Sequence, residues 1–116
     1  MSKVTEAQLT VTGKSRKEYK FNIYTLDTKF VKAGAIYIFT KRIKQSTGDN
    51  YNHDFVYCGK TEDLSTRFDN HHKEDCIKKN NANCICILQV ETEKERTTIE
   101  EDILKGNNFR CNDMLN

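Results

Sequence analysis

The chain contains no proline, no internal repeat and no stretch with the composition of a linker. These absences exclude an array of repeated units and a flexible connection between two separate domains. With 116 residues, of which 36% are hydrophobic and 31% charged, the chain is long enough to enclose a modest core. The sequence therefore predicts one compact, soluble domain.

Long hydrophobic runs are absent as well. No segment approaches the roughly 20 apolar residues that a membrane-spanning helix needs, so no membrane partner is expected. The first six residues are followed by no apolar block and are not typical of a signal peptide. The expectation that follows is a cytoplasmic location.

The five cysteines are an odd number and show no framework spacing, which predicts free thiols in a reducing compartment. Cys84 and Cys86 are two residues apart in a predicted strand, so their side chains lie on the same face of it. No Cys-x-x-Cys pair and no nearby histidine completes a zinc site around them, so small buried thiols are predicted there.

The net charge of +2 is unevenly distributed. Residues 1–33 hold seven Lys or Arg and three Asp or Glu, whereas residues 73–116 hold seven basic and nine acidic side chains. A basic N-terminal third is a weak indication of nucleic-acid binding, because many ordinary solvated surfaces look the same.

Hydrophobic periodicity predicts a small α/β (α+β) fold, with a mainly antiparallel sheet flanked by helices. Residues 1–33 read as an N-terminal β-hairpin followed by a connector, and residues 34–116 as the core of the same domain. In the core we predict strands at 35–40, 54–58 and 84–90, a polar loop at 41–53, and helices from 62, at 73–79 and at 93–105. Thr92 and Glu95 form a capping box for the last helix, and Gly106 can end it.

The segment from Tyr57 to His71 is the most informative part of the chain. A strand is predicted to enter a tight turn at Gly59, and a helix to follow with Thr61 as its N-cap. Arg67 and His71 are four residues apart, so they lie on one face of that helix and can act on one ligand. A surface helix with a solvated arginine and histidine is the alternative that the segment alone leaves open.

Further short motifs stand before and after this segment. In chain order they are Ala35-Ile36-Tyr37, Tyr57-Cys58-Gly59, the run of Lys60, Leu64, Arg67 and His71, then Ile99-Glu100, and Arg110-Cys111-Asn112. In this order, and on the strands and helices predicted for them, they resemble the GIY-YIG nuclease family. The resemblance covers residues 34–116 and leaves residues 1–33 as an added hairpin.

The sequence departs from the family pattern at three places. Ala35 stands where the family has its first glycine, although Gly34 is adjacent, and Cys58 replaces an isoleucine. Twenty residues separate the two tyrosines, more than is usual, and the excess falls in residues 41–53. None of the expected catalytic positions is lost, which argues against an inactive enzyme.

The resemblance implies a DNA endonuclease that uses one Mg²⁺ (or Mn²⁺) ion and in-line attack by water, leaving 5′-phosphate and 3′-hydroxyl ends. It implies that Glu100 holds the metal, that Arg67 and His71 bind the phosphate, that Tyr37 and Tyr57 position or activate the water, and that Lys60, Gly59 and Asn112 support these groups. One carboxylate suits Mg²⁺, which also accepts waters and phosphate oxygens as ligands. A phenol needs a nearby cation to act as a base near neutral pH, and Lys60 or the metal could supply it.

Several alternatives stay open at this point. Tyr37 alone could be an ordinary strand aromatic, Glu100 could form a salt bridge, and His72 competes with His71 for the phosphate. The chain could be a nucleic-acid-binding module that does not cut, or a subunit active only within a larger repair or restriction complex. Because it carries no separate DNA-binding domain, a homodimer or a partner protein is also open.

Overall fold

We describe a computed structural model of the chain over residues 3–44, 51–67 and 74–112. In chain order its elements are β1 (Lys3–Thr12), β2 (Glu18–Thr25), β3 (Ala35–Lys44), β4 (Tyr51–Thr61), α1 (Leu64–Arg67), α2 (Glu74–Lys79), β5 (Cys84–Gln89) and α3 (Glu93–Gly106). No helix among these residues is long and apolar enough to cross a bilayer. The predicted α+β class with an antiparallel sheet is confirmed.

The five strands of the described residues form one sheet in the order β1-β2-β5-β3-β4. Every pair of neighbours is antiparallel. β5 is last along the chain but lies in the middle, hydrogen-bonded to β2 on one side and β3 on the other. Its nearly continuous apolar sequence predicts this central position, because a central strand is covered on both faces. The β1–β2 pair thus extends the sheet that β3 and β4 belong to.

Alternation along β3 divides the core between the two faces of the sheet. Ile36 and Ile38 pack on one face with Ile103 of α3, which we call the α3 face. Tyr37 and its neighbours pack on the other face with Leu64 of α1 and Ile77 of α2, which we call the tyrosine face. Adjacent residues of β3 therefore belong to two different hydrophobic clusters, one on each face of the sheet.

The turn between β1 and β2 is anchored to α3 through Asp102. Its carboxylate accepts hydrogen bonds from Ser15 N at 2.9 Å, Ser15 Oγ at 2.6 Å and Tyr19 Oη at 2.7 Å. The bonds from Ser15 and then Tyr19 lower the pKa of Asp102 below its ordinary value. The N-terminal strands are thus held by polar contacts as well as by the shared sheet.

The predicted polar loop at 41–53 is wrong at both of its ends. β3 continues to Lys44 and β4 begins at Tyr51, with Lys41 opposite Asp54 and Lys44 opposite Tyr51. Backbone hydrogen bonds hold these two strand segments together. Such bonds form without apolar side chains, whereas the prediction of strands from sequence depends on apolar side chains. Residues 45–50 lie outside the described residues.

The prediction of five free thiols is wrong for two of them. Cys76 of α2 and Cys111 form a disulfide across 35 residues of sequence, with their Cα atoms 5.8 Å apart. Cys58, Cys84 and Cys86 take part in no disulfide and are buried, as the sequence predicts for small core residues. The pairing depends on how α2 and the chain end meet in space, which cysteine spacing alone does not indicate.

Candidate active site

Two tyrosine rings lie side by side on the tyrosine face. Tyr37 of β3 is directly opposite Gly59 of β4, and Tyr57 precedes Gly59 by two residues and so shares its face. The Tyr37 and Tyr57 ring centroids are 6.0 Å apart, with their planes inclined at 37°. Both rings are buried, Tyr37 completely and Tyr57 with 8% of its surface exposed.

Gly59 is required by the close approach of Tyr37. The predicted turn at this residue is wrong, because β4 continues in extended form through Gly59 to Thr61. A Cβ atom at position 59 would lie closer to the Tyr37 hydroxyl oxygen and ring carbon Cζ than real Cβ atoms come to other heavy atoms. The glycine therefore makes room for the phenol end of Tyr37.

The chain turns into α1 two residues later than predicted. Asp63 rather than Thr61 caps the helix, since its Oδ1 accepts a hydrogen bond from Ser65 N at 2.9 Å. The bond from the Ser65 side chain is the main reason why the pKa of Asp63 lies below its ordinary value. Arg67 is the last residue of α1, but its side chain lies outside the described part of the chain, and so does His71. Their predicted convergence on one phosphate stays a prediction.

Lys60 lies on the α3 face, opposite Ile36 in the strand register. Its Nζ is 2.7 Å from Oε2 of Glu93, the first residue of α3. The hydrogen bond and positive charge of Lys60 are the main reasons why the pKa of Glu93 is below its ordinary value. Lys60 is therefore tied to the start of the helix that carries Glu100.

Glu100 is half-buried on α3, about two helical turns beyond Glu93 and on the same side of the helix. Its charge acts on the thiol of Cys58, which projects from β4 into the core of the α3 face. Burial first, and then the Glu100 carboxylate, raise the pKa of Cys58 well above its ordinary value. Glu100 is therefore close enough to the α3 face of β4 for its charge to affect this thiol.

Asn112 attaches the end of the described chain to β4. Its side-chain Oδ1 accepts a hydrogen bond from Cys58 N at 2.8 Å, and its Nδ2 donates one to Cys58 O at 2.9 Å. The side chain thus pairs with the strand backbone as a neighbouring strand would. The predicted role of Asn112, to tie the chain end to the site and so fix the glutamate helix against the tyrosine strands, stays a prediction; the contacts show that its side chain joins this segment to β4.

We expect Asn112→Ala to lower the free energy of unfolding by about 2 kcal/mol, because the nearly inaccessible backbone groups of Cys58 would lose both partners. Asn108→Ala is the matched control: Asn108 is exposed in the same segment, and its loss should cost less than about 0.5 kcal/mol. Urea unfolding followed by circular dichroism measures both. Equal effects of the two variants would contradict the anchoring role.

Sequence reasoning missed Arg96, which fixes the connection between β5 and α3. Its Nη1 donates to Val90 O at 2.8 Å and to Glu91 O at 3.0 Å, and its Nη2 is 3.4 Å from Glu93 Oε1. Only 5% of the residue is exposed. The signal was its position three residues before Ile99, which puts it in line with the apolar stripe of the helix.

β4 is the element that all these groups share. On the tyrosine face it brings Tyr57 and Gly59 against Tyr37, and on the α3 face Lys60 binds Glu93 at the start of the helix that carries Glu100. The tyrosine pair and α3 therefore lie on opposite sides of β4. Searches of protein-family models, curated proteins and solved structures give no match to this chain.

Proposed function

We propose that the protein is a GIY-YIG-type endonuclease that hydrolyses DNA phosphodiester bonds with the help of one divalent metal ion, Mg²⁺ or Mn²⁺. In this proposal residues 34–116 are the nuclease core and β1–β2 are an addition to its sheet. The proposal rests on the motifs that the sequence shares with that family and on the way β3 and β4 arrange two of them.

The observation that carries the proposal is the packing of Tyr37 against Gly59. The two tyrosine motifs, Ala35-Ile36-Tyr37 and Tyr57-Cys58-Gly59, lie on adjacent antiparallel strands. Their register puts the first tyrosine opposite the glycine of the second motif and beside its tyrosine. An ordinary core would tolerate a side chain at position 59, whereas here the phenol end of Tyr37 occupies that space.

The donor chemistry around α3 fits a single metal ion held by few protein groups. Among the described residues no three His, Cys, Asp or Glu side chains converge. A Mg²⁺ site needs no such cluster, because water and phosphate oxygens complete its shell around one or two carboxylates. Glu100 would be that carboxylate, because it stands in the Ile99-Glu100 motif that the sequence shares with the family. When bound, the ion would supply charge that stabilises the leaving oxygen.

Of the other residues, some act on the substrate and some support the elements that carry the site. Arg67 and His71 bind the scissile phosphate, where a guanidinium offsets the charge that grows in the transition state. Tyr37 and Tyr57 orient the attacking water, and one of them takes its proton. Lys60 stabilises the start of α3 through Glu93, and Asn112 holds β4 in place.

The burial of Tyr37 supports a second candidate function. Because none of its surface is exposed, a water can reach its hydroxyl only if the groups that cover it move aside. Such a movement could depend on a partner. The second candidate is therefore a nucleic-acid-binding module or subunit that cuts only within a larger complex.

A cleavage assay separates these candidates. The purified protein is incubated with supercoiled plasmid and with branched or flapped DNA, in Mg²⁺ or Mn²⁺ and, in parallel, in EDTA. The nuclease proposal predicts cutting only with metal, with 5′-phosphate and 3′-hydroxyl ends. DNA binding that weakens with salt but yields no product would favour the second candidate. If the protein neither binds nor cuts, both are rejected.

A further inference from the structure

The Cys76–Cys111 disulfide joins α2 to residues 110–112, which we call the tail. Phe109, just before the tail, is buried in the core of the α3 face and stacks on Phe55. The two cysteines of the disulfide differ in exposure, because Cys76 is half-buried whereas only 4% of Cys111 is exposed. Cys58, Cys84 and Cys86 take part in no disulfide and are buried, so Cys76 is the one described cysteine that is partly exposed to solvent.

The tail is the segment that the disulfide links to α2. It runs along the outer edge of β4, where Arg110 N donates to Phe55 O at 3.4 Å and Cys111 N to Val56 O at 2.7 Å. The next residue, Asn112, bonds both backbone groups of Cys58. Cys111, which contacts Val56, belongs to the disulfide itself. Asn112, which contacts Cys58, is the next residue along the chain.

Asn80 favours exchange at this disulfide. Its Nδ2 donates to Cys76 O at 2.9 Å, which fixes the amide, and lies 3.5 Å from the Sγ atoms of both Cys76 and Cys111. An N–H group held beside a sulfur stabilises the thiolate that forms when the S–S bond breaks. Since a better leaving thiolate departs faster, the amide makes the bond easier to open.

We propose that Cys76 and Cys111 are a thiol–disulfide exchange site. The oxidised pair clamps the tail onto β4, and reduction by a dithiol releases the tail while the sheet stays folded. The proposal stands on the contacts of the tail and does not depend on the nuclease activity.

The reaction balances as an ordinary exchange. A thiolate of the dithiol attacks Cys76 Sγ, the S–S bond breaks, and Cys111 leaves as a thiolate that takes up a proton. The second thiol of the reductant attacks the mixed disulfide and releases Cys76, which is protonated in turn. The protein disulfide gains two electrons and two protons, and the dithiol becomes a cyclic disulfide.

The test combines thiol alkylation with amide hydrogen exchange on the full chain. The protein is equilibrated in buffers of reduced and oxidised dithiothreitol, alkylated with iodoacetamide and analysed by peptide mass spectrometry. We expect reversible labelling at Cys76 and Cys111 only. In the reduced protein the amides of Cys58 and Cys111 should exchange at least about tenfold faster, whereas the amide of Ile87 in β5 should stay protected.

The double variant Cys76→Ser/Cys111→Ser is the control for the reagent. It should show the fast exchange at Cys58 without reductant and no response to dithiothreitol. Unchanged exchange at Cys58 on reduction would overturn the proposal, because the tail would then be held without the disulfide. Loss of protection at Ile87 would overturn it too, because the disulfide would then hold the whole fold rather than the tail.

Discussion

Replacement of Glu100 by glutamine is expected to lower the rate of metal-dependent DNA cleavage by about 1000-fold or more, which corresponds to about 4 kcal/mol of transition-state stabilisation. Glutamine keeps the length and shape of the side chain but carries no charge. Glu93 lies on the same side of α3 but is paired with Lys60, so we do not expect it to replace the lost carboxylate. Single-turnover cleavage of plasmid DNA in Mg²⁺ measures the rate.

Glu101→Gln provides a matched control on the neighbouring residue. It removes the same charge from the same helix, but Glu101 is exposed and Glu100 half-buried beside β4. We expect the control to cut within about twofold of the unaltered protein, as is usual for surface substitutions. Similar thermal unfolding of the two variants would show that both are folded. Equal cleavage rates for the two variants would show that Glu100 does not hold the metal. The proposal would then need a different metal ligand.

Local signals predicted much of the fold, because each acts over a few residues. Thr92 is the N-cap of α3 as predicted, with Glu95 N donating to Thr92 Oγ1 at 3.2 Å and the Thr92 hydroxyl donating to Glu95 Oε1 at 2.9 Å. The apolar sequence of residues 84–90 indicated a central strand, and β5 is central. In both cases the sequence pattern and the physical cause lie in the same segment.

What the sequence did not predict depends on segments that are distant along the chain. The Cys76–Cys111 disulfide exists because the tail folds back beside α2. The spacing of the cysteines along the sequence does not predict this path of the chain. The turn predicted at Gly59 was wrong for the same reason. A glycine in the sequence indicates that another group comes close to the backbone at that position. Only the register of β3 against β4 shows that this group is Tyr37.

The candidate site was predictable as a set of motifs but not as a geometry. The motifs placed Tyr37 and Tyr57 on neighbouring strands and Glu100 on a helix, and the structure has them there. Their order along the chain does not say that the tyrosine rings and α3 pack against opposite faces of the sheet, with β4 between them.

Gly59→Ala is expected to lower the free energy of unfolding by about 3 kcal/mol, a large cost for the addition of one methyl group. The methyl would meet the phenol end of Tyr37, so the ring or the strand has to move. The ring is confined, because it is fully buried and packs edge-on against Phe39 at 5.9 Å and beside Tyr57 at 6.0 Å. Urea unfolding followed by circular dichroism measures the loss.

The same substitution in a Tyr37→Phe background tests whether the collision is the cause. Phenylalanine lacks the hydroxyl oxygen, the atom nearest to the added methyl, so the cost of Gly59→Ala should fall to about half. The ring carbon Cζ remains close, and for this reason the rescue should be incomplete. An equal cost in both backgrounds would mean that the hydroxyl oxygen is not the atom that the methyl meets, and that the ring carbons of residue 37 or the backbone of β4 set the cost.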